Sequence, residues 1–430
     1  MPENPVNKTN SSREAGSLGG WNSRDTGWML NLFGTAIGAG VLYLPISAGV
    51  GGIWPLVILS VMTGPMVWLA HRNLVRFCLS SQEPEANITV TVREHFGEEA
   101  GRFLTWAYCL SVYPILLLYG IGLTNVVISY FENQLHWPLP SRLWLSLLLV
   151  SGLVVIMHTG EKWMLRAVKF MVYPLVLTLL LVSAYLIPQW NTSVFSQAFS
   201  FRDMLVTLFF TTPLLIFSFN HSPACSAFAT AYRMTMGSRE ACSRKTEDIL
   251  KKNTLLLMAV ILFFVFSCVL SLTPSELIQA KADNLPVLSI LALRTGNSVF
   301  SFIAPVIAFL AIVSSFFGVY LGALEGLQGM VTQQWLRRCP QRPLNYVKVR
   351  RMVVLFIVLT CWGAGYADWS VIGMIEAIVV PVLALILYVM PVYAYYNVKR
   401  LAKFQNKVLD VFIVIVGIVA IFGFLLNKMV

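Results

Sequence analysis

Residues 33–52 read FGTAIGAGVLYLPISAGVGG, and residues 217–229 read FSFNHSPACSAFA. Both lie inside long apolar stretches, and both hold residues that a helix in hydrocarbon tolerates poorly. In the first, Gly34, Gly38 and Gly40 fall within GTAIGAG, and each glycine weakens a helix by about 1 kcal/mol relative to alanine. In the second, Pro223 removes a backbone donor and crowds the preceding turn. Ser218, Asn220, His221 and Ser222 add four polar side chains at the same depth. Unpaired backbone in hydrocarbon is costly, so a broken helix persists only against protein or a water-filled cavity. Taken singly, Gly34-x-x-x-Gly38 also suits close helix packing, and Pro223 a simple kink. Interruptions at corresponding positions of two halves favour a pair of functional breaks.

The surrounding composition sets the solvent. The chain has 430 residues, 57% hydrophobic and 12% charged, with a mean hydropathy of +0.72. Soluble domains carry about 25% charged residues, so a large soluble enzyme is excluded, as are disordered and fibrous chains. A net charge of +11 alone suggests a nucleic-acid partner, but this composition leaves little soluble face for a basic groove. The seven cysteines show no CxxC spacing, and neither a zinc site nor a disulfide framework is expected. No cofactor is expected either.

A bilayer core needs about 20 apolar residues per helix. Eleven stretches qualify: 28–48, 53–71, 103–131, 143–158, 169–187, 204–231, 254–273, 301–326, 352–367, 370–396 and 409–427. Runs such as LLLMAVILFFVFSCVL are apolar on every face, unlike the alternation of barrel strands. With the N-terminus cytoplasmic, 26 of the 31 Lys and Arg fall inside. Only Arg142, Arg202, Lys281, Arg294 and Lys428 fall outside. Basic residues favour the cytoplasmic side, so +11 reports orientation. The C-terminus is then periplasmic. Segment 274–300 is expected to carry a short helix (PSELIQAKA), and TVREHFGEEAG in the 72–102 connection also reads as helical.

The two breaks fall in stretches one and six, five apart. Five is odd, so the second set of five enters the membrane in the opposite sense. The expected organisation is a cytoplasmic tail (1–24), a first five-helix repeat (25–190), an inverted second repeat (204–396) and an added helix (409–430). A broken helix also supplies chemistry, because free N–H groups at a helix start attract anions. Opened backbone at Gly38, Ala39 and Gly40 suits a carboxylate. Carbonyls at Gly34, Ala36 and Ile37 suit an ammonium or a cation. A zwitterionic amino acid matches both.

On these two motifs the chain closely resembles the hydroxy/aromatic amino acid permease family of bacterial inner membranes, in its serine and threonine transporter branch. YLIPQW (185–190), FFVFSCVLSLTP (263–274) and YLGALEGLQGM (320–330) extend the likeness from about Trp21 to the C-terminus. The resemblance implies an all-α multi-pass LeuT-type fold, a 5+5 inverted repeat plus one helix, working by alternating access. It implies proton-coupled uptake of L-serine or L-threonine. It assigns the substrate to Gly34, Thr35, Ala36, Ile37, Gly38, Ala39 and Gly40, with Ser218, Asn220, His221 and Ser222 completing the pocket. One stretch departs: the family's eighth helix resembles K-S-F-x-G-H-Y-L-G, whereas this chain has SSFFGVYLG (314–322). Ser314 stands in the lysine's place and Val319 in the histidine's. Two hydroxyls at Ser314 and Ser315, with the carbonyls of Gly34 and Ile37, are therefore a candidate Na⁺ site.

Ionisable groups inside a membrane are functional suspects. Glu325, Glu376 and His221 are the candidates for a coupled proton. Each has a structural alternative: an arginine partner for Glu325, and a buried hydrogen bond for Glu376 and for His221. His71 and His158 read as interfacial, Arg166 and Lys169 as orientation anchors. Trp28, Trp137, Tyr185 and Trp190 suit an aromatic belt. One charge crossing about 100 mV is worth about 2.3 kcal/mol, or roughly 50-fold accumulation, so one coupled cation suffices. No GxxxxGK[ST] loop, HExxH, GxSxG or selectivity-filter repeat is present, which disfavours an ATP-driven pump, a membrane enzyme and a channel. The expected partners are a small neutral amino acid, H⁺ or Na⁺, and the lipid bilayer, with no nucleic acid. Aromatic substrates and Na⁺ coupling are the alternatives.

Overall fold

A computed structural model describes residues 20–38, 40–196, 200–282, 286–295, 298–339, 341, 343–368 and 379–427. Helices dominate, and the described residues contain no strand. The first apolar stretch divides into α1 (Ser23–Ala36) and α2 (Gly40–Gly49), which meet at 58°. It is followed by α3 (Ile53–Leu79), α4 (Ile88–Tyr130), α5 (Arg142–His158) and α6 (Glu161–Leu186). The sixth stretch divides into α7 (Phe201–Ser218) and α8 (Ser222–Arg233). Then come α9 (Arg239–Ser271), the short α10 (Pro274–Ala282) and α11 (Val287–Thr295), α12 (Ser298–Arg338), α13 (Tyr346–Ala367), α14 (Val379–Asn397) and α15 (Lys407–Asn427).

Seven described helices are long and apolar enough to cross a membrane, or eight if α1 and α2 form one bent span. Exposed Val61, Leu148, Phe170 and Leu177 give the bundle an apolar outer surface, which suits a hydrocarbon solvent. PSELIQAKA is helical, as α10. TVREHFGEEAG is helical too, but merges with the following span across a kink at Gly97 (φ +81°), a conformation that favours glycine.

Two expectations are corrected. Trp28 is buried, and its indole Nε1 donates to Glu161 Oε1 (2.9 Å). Its position near a stretch end suggested a belt, yet that end is covered by α6. Trp137, Tyr185 and Trp190 are exposed. His71 is also buried, because α3 runs one turn and more past the predicted boundary and packs against α8 and α9.

The face carrying the N-terminal residues is tied by charge. Arg24 grips Glu161 with two bonds (2.5 and 3.0 Å), linking α1 to α6. Buried Asp25 accepts from Lys245 of α9 (2.6 Å) and from the Tyr232 hydroxyl of α8 (2.6 Å). Lys169 reaches back to Ser23, while Arg166 lies over Trp163.

α12 is the inner strut, and its most extensive partner is α4. Small residues on it admit neighbours closely. A Cβ on Gly322 would stand 2.7 Å from the Pro223 carbonyl oxygen and 2.7 Å from the Tyr108 hydroxyl. The carbonyl cannot swing away as a side chain can. Gly322→Ala is therefore expected to cost about 1–3 kcal/mol, the usual weight of overpacking, read as a lower melting temperature of the detergent-purified protein. An unchanged melting temperature would show that α8 yields freely.

Candidate substrate and ion site

The two helix breaks face each other. A Cβ on Gly40 would lie 2.9 Å from Ser218 Oγ and 3.0 Å from the Phe217 ring, so the start of α2 rests on the end of α7. Between them is a gap lined by Thr35, Ala36, Gly38 and Gly40 from the first break and by Phe217 and Asn220 from the second. Ile115 and Tyr119 of α4 and Val319 of α12 close its sides. The gap measures about 10 Å³, on the order of one water. Admitting an amino acid requires the walls to part.

The first break shows why hydroxyls on α12 matter. α1 ends when the Ile37 N–H bonds the Phe33 carbonyl, and Gly38 N–H turns back to Ala36. The carbonyls of Gly34 and Ile37 are left pointing at α12. Ser315 Oγ lies 2.8 Å from each. Ser314 Oγ bonds Ala311 (3.1 Å) and sits 3.5 Å from the Gly34 oxygen. All four predicted members of the cation site are thus brought together. One hydroxyl hydrogen serves only one carbonyl at a time, so Ser315 leaves lone pairs for a cation.

In the second break, the Asn220 side chain accepts from Ser222 N–H (3.0 Å) and starts α8, with Pro223 at its first turn, where a missing donor does no harm. Ser218 Oγ is buried and has no hydrogen-bond partner among the described residues. His221 turns away from the gap. Its ring stacks on His71 of α3, with centroids 3.5 Å apart and planes 8° from parallel. The His71 Nδ1 contacts the Val67 carbonyl (2.8 Å), and its Nε2 accepts the His221 backbone N–H (3.2 Å). His221 Nδ1 contacts the Phe219 carbonyl (3.1 Å), and its Nε2 faces Asn253 Nδ2 (3.3 Å). A carbonyl beside Nδ1 assigns the proton there in each ring, leaving both Nε2 atoms as acceptors. Two rings this close cannot both carry charge cheaply.

Glu325 is separated from this cluster. One of its carboxylate oxygens is sealed without a partner among the described residues, and Ser226 and Arg233 of α8 are its polar neighbours. Ala39 and Glu376 lie outside the described residues. His158 pairs through Nε2 with the Tyr320 hydroxyl (2.8 Å).

Sequence reasoning missed Ile115, Tyr119, Phe217, His71 and Asn253. Each sits in an unbroken helical stretch, apart from Phe217, which borders the motif. Asn253 lies just before the apolar stretch 254–273, after Lys251 and Lys252, where a polar residue carries no signal.

Residues 26–423 match the tryptophan/tyrosine permease family. The serine transporter SdaC of Escherichia coli (strain K12) is 42% identical over 411 residues, covering 94% of this chain and 95% of that protein. The threonine/serine transporter TdcC of Escherichia fergusonii is 37% identical over 421 residues, covering 93% and 95%. Among solved structures, MhsT in complex with L-phenylalanine aligns with a TM-score of 0.56 at 12% identity, over 95% of this chain and 98% of that one. A Na⁺-coupled sialic acid symporter aligns with a TM-score of 0.55 at 12% identity, over 94% and 90%. The fold is therefore that of the LeuT-type transporters.

Proposed function

Because this chain belongs to the tryptophan/tyrosine permease family, we propose that it imports a small neutral amino acid, L-serine first and L-threonine second, by proton symport with alternating access. The observation that carries the reading is the apposition of two helix breaks across one narrow gap. The substrate carboxylate meets the backbone at Gly38 and Gly40, and its ammonium meets the carbonyls of α1. The unpartnered Ser218 hydroxyl supplies a bond for a substrate hydroxyl, and sites built around such a bond discriminate well. The similarity to serine and threonine/serine transporters supports the same choice.

Residues 25–190 and 204–396 are the two inverted repeats, with 409–430 appended. The protein spans the bacterial inner membrane with a cytoplasmic N-terminus and a periplasmic C-terminus, a reading that the distribution of basic residues supports. The coupled proton resides among His221, Glu325 and Glu376, to which buried His71 is added by its stacking on His221. A second reading, Na⁺ coupling, is favoured by Ser315 lying 2.8 Å from two α1 carbonyls.

Proteoliposomes holding the purified chain test all of this. Serine accumulation is expected under an imposed pH gradient, unchanged when choline replaces Na⁺. Accumulation that needs Na⁺ would transfer the coupling to the Ser314–Ser315 site. Uptake of tryptophan or tyrosine but not serine would overturn the substrate assignment.

A further inference from the structure

Away from the transport site, a cavity of about 590 Å³ opens between the ends of α3 and α9 and the 398–406 connection. That volume is typical of ligand pockets, about 300–1,000 Å³. Arg76, Arg239, Arg244, Arg400 and Lys403 converge on it, against the two carboxylates Glu240 and Glu247. Pairing uses up part of this charge. Arg76 holds Glu247 (2.8 Å), Arg400 reaches Glu94 (3.2 Å), and Arg244 makes only a long, exposed contact with Glu240 (3.5 Å). Arg239 donates to the Ser81 carbonyl oxygen (3.2 Å), and Lys403 rests over the Phe404 ring. Neither has an ion-pair partner among the described residues. The floor is apolar: Leu79, Leu401 and Phe404.

We infer that this cavity binds a phosphate-bearing anion, held by Arg239, Lys403 and Arg244 over the apolar floor. Guanidinium groups match phosphate oxygens in pairs, and basic pockets between membrane helices receive lipid headgroups by the same chemistry. A bound phosphate would tie the start of α9 to the connection that leads into α15, so it would clamp one end of the bundle. The ligand is therefore a stabiliser of the state seen here and no part of the transported cargo.

The test is the melting temperature of the purified full chain. One arm titrates inorganic phosphate and glycerol 3-phosphate against sodium chloride of equal ionic strength. The other compares nanodiscs of phosphatidylglycerol and phosphatidylcholine with nanodiscs of phosphatidylcholine alone. Saturable stabilisation is expected in at least one arm, and the arm identifies a soluble or a lipid source. Arg239→Gln and Lys403→Gln, both at exposed positions, should each weaken it about tenfold, the weight of one charge-assisted contact. Lys281→Gln, on α10 and remote from the cavity, should leave it unchanged. Stabilisation equal to that by chloride, no response in either arm, or a response that Arg239→Gln and Lys403→Gln both retain would overturn the proposal.

Discussion

His221→Ala and Asn220→Ala are each expected to lower serine uptake about 100-fold, the equivalent of roughly 2.7 kcal/mol, while both proteins still reach the membrane. His221 does not touch the gap, so its effect runs through the break. Its imidazole bonds the Phe219 carbonyl on one side and Asn253 on the other. Removing it strands both partners in a buried setting, at about 1–3 kcal/mol for each unsatisfied group. Asn220 accepts the Ser222 N–H at the start of α8 and also lines the gap, so its loss unpairs that donor and removes the proposed substrate contact together. His71→Phe separates geometry from hydrogen bonding. Phenylalanine keeps the stacked volume but cannot accept the His221 N–H. Its uptake should fall while its melting temperature changes less than that of His221→Ala. Normal uptake by His221→Ala and Asn220→Ala would remove the second break from the transport site.

Both breaks were legible because their causes are local. Glycine entropy and the missing proline donor act on the residues that carry them, so GTAIGAG and SFNHSP announce interrupted helices. The observed ends, at Ala36 and Gly40 and at Ser218 and Ser222, fall within the two motifs. The approach of Ser315 to Gly34 and Ile37 was legible too, through family resemblance. His71 was not. Its meeting with His221 joins residues far apart in the chain, and nothing within α3 marks position 71 as turned inward. Tyr119 was hidden for the same reason, since one tyrosine in LLLYGIG reads equally as lipid-facing. The long continuation of α3 past residue 71 was missed because Arg72 and Arg76 look like the end of a span. Both guanidiniums in fact lie over aromatic rings, of Trp68 and Phe404, which lets the helix continue with its charges covered.

Gly38→Ala is expected to lower transport sharply through a single methyl group. The added Cβ would stand 2.6 Å from the Tyr119 hydroxyl and 3.4 Å from Ser315 Oγ. It enters the gap where the substrate carboxylate is proposed to bind, and the gap has only about 10 Å³ to spare. Tyr119 must retreat, or α1 must shift and pull the Gly34 and Ile37 carbonyls off Ser315. Either response costs about 1–3 kcal/mol by overpacking, so uptake should fall between about 10- and 100-fold. A double-mutant cycle identifies the cause. Tyr119→Phe deletes the nearest obstructing atom, so Gly38→Ala combined with Tyr119→Phe should transport better than Gly38→Ala alone. Additive losses would place the damage in backbone flexibility at the break instead of in the space between α1 and α4. Wild-type uptake by Gly38→Ala would mean that the substrate passes elsewhere.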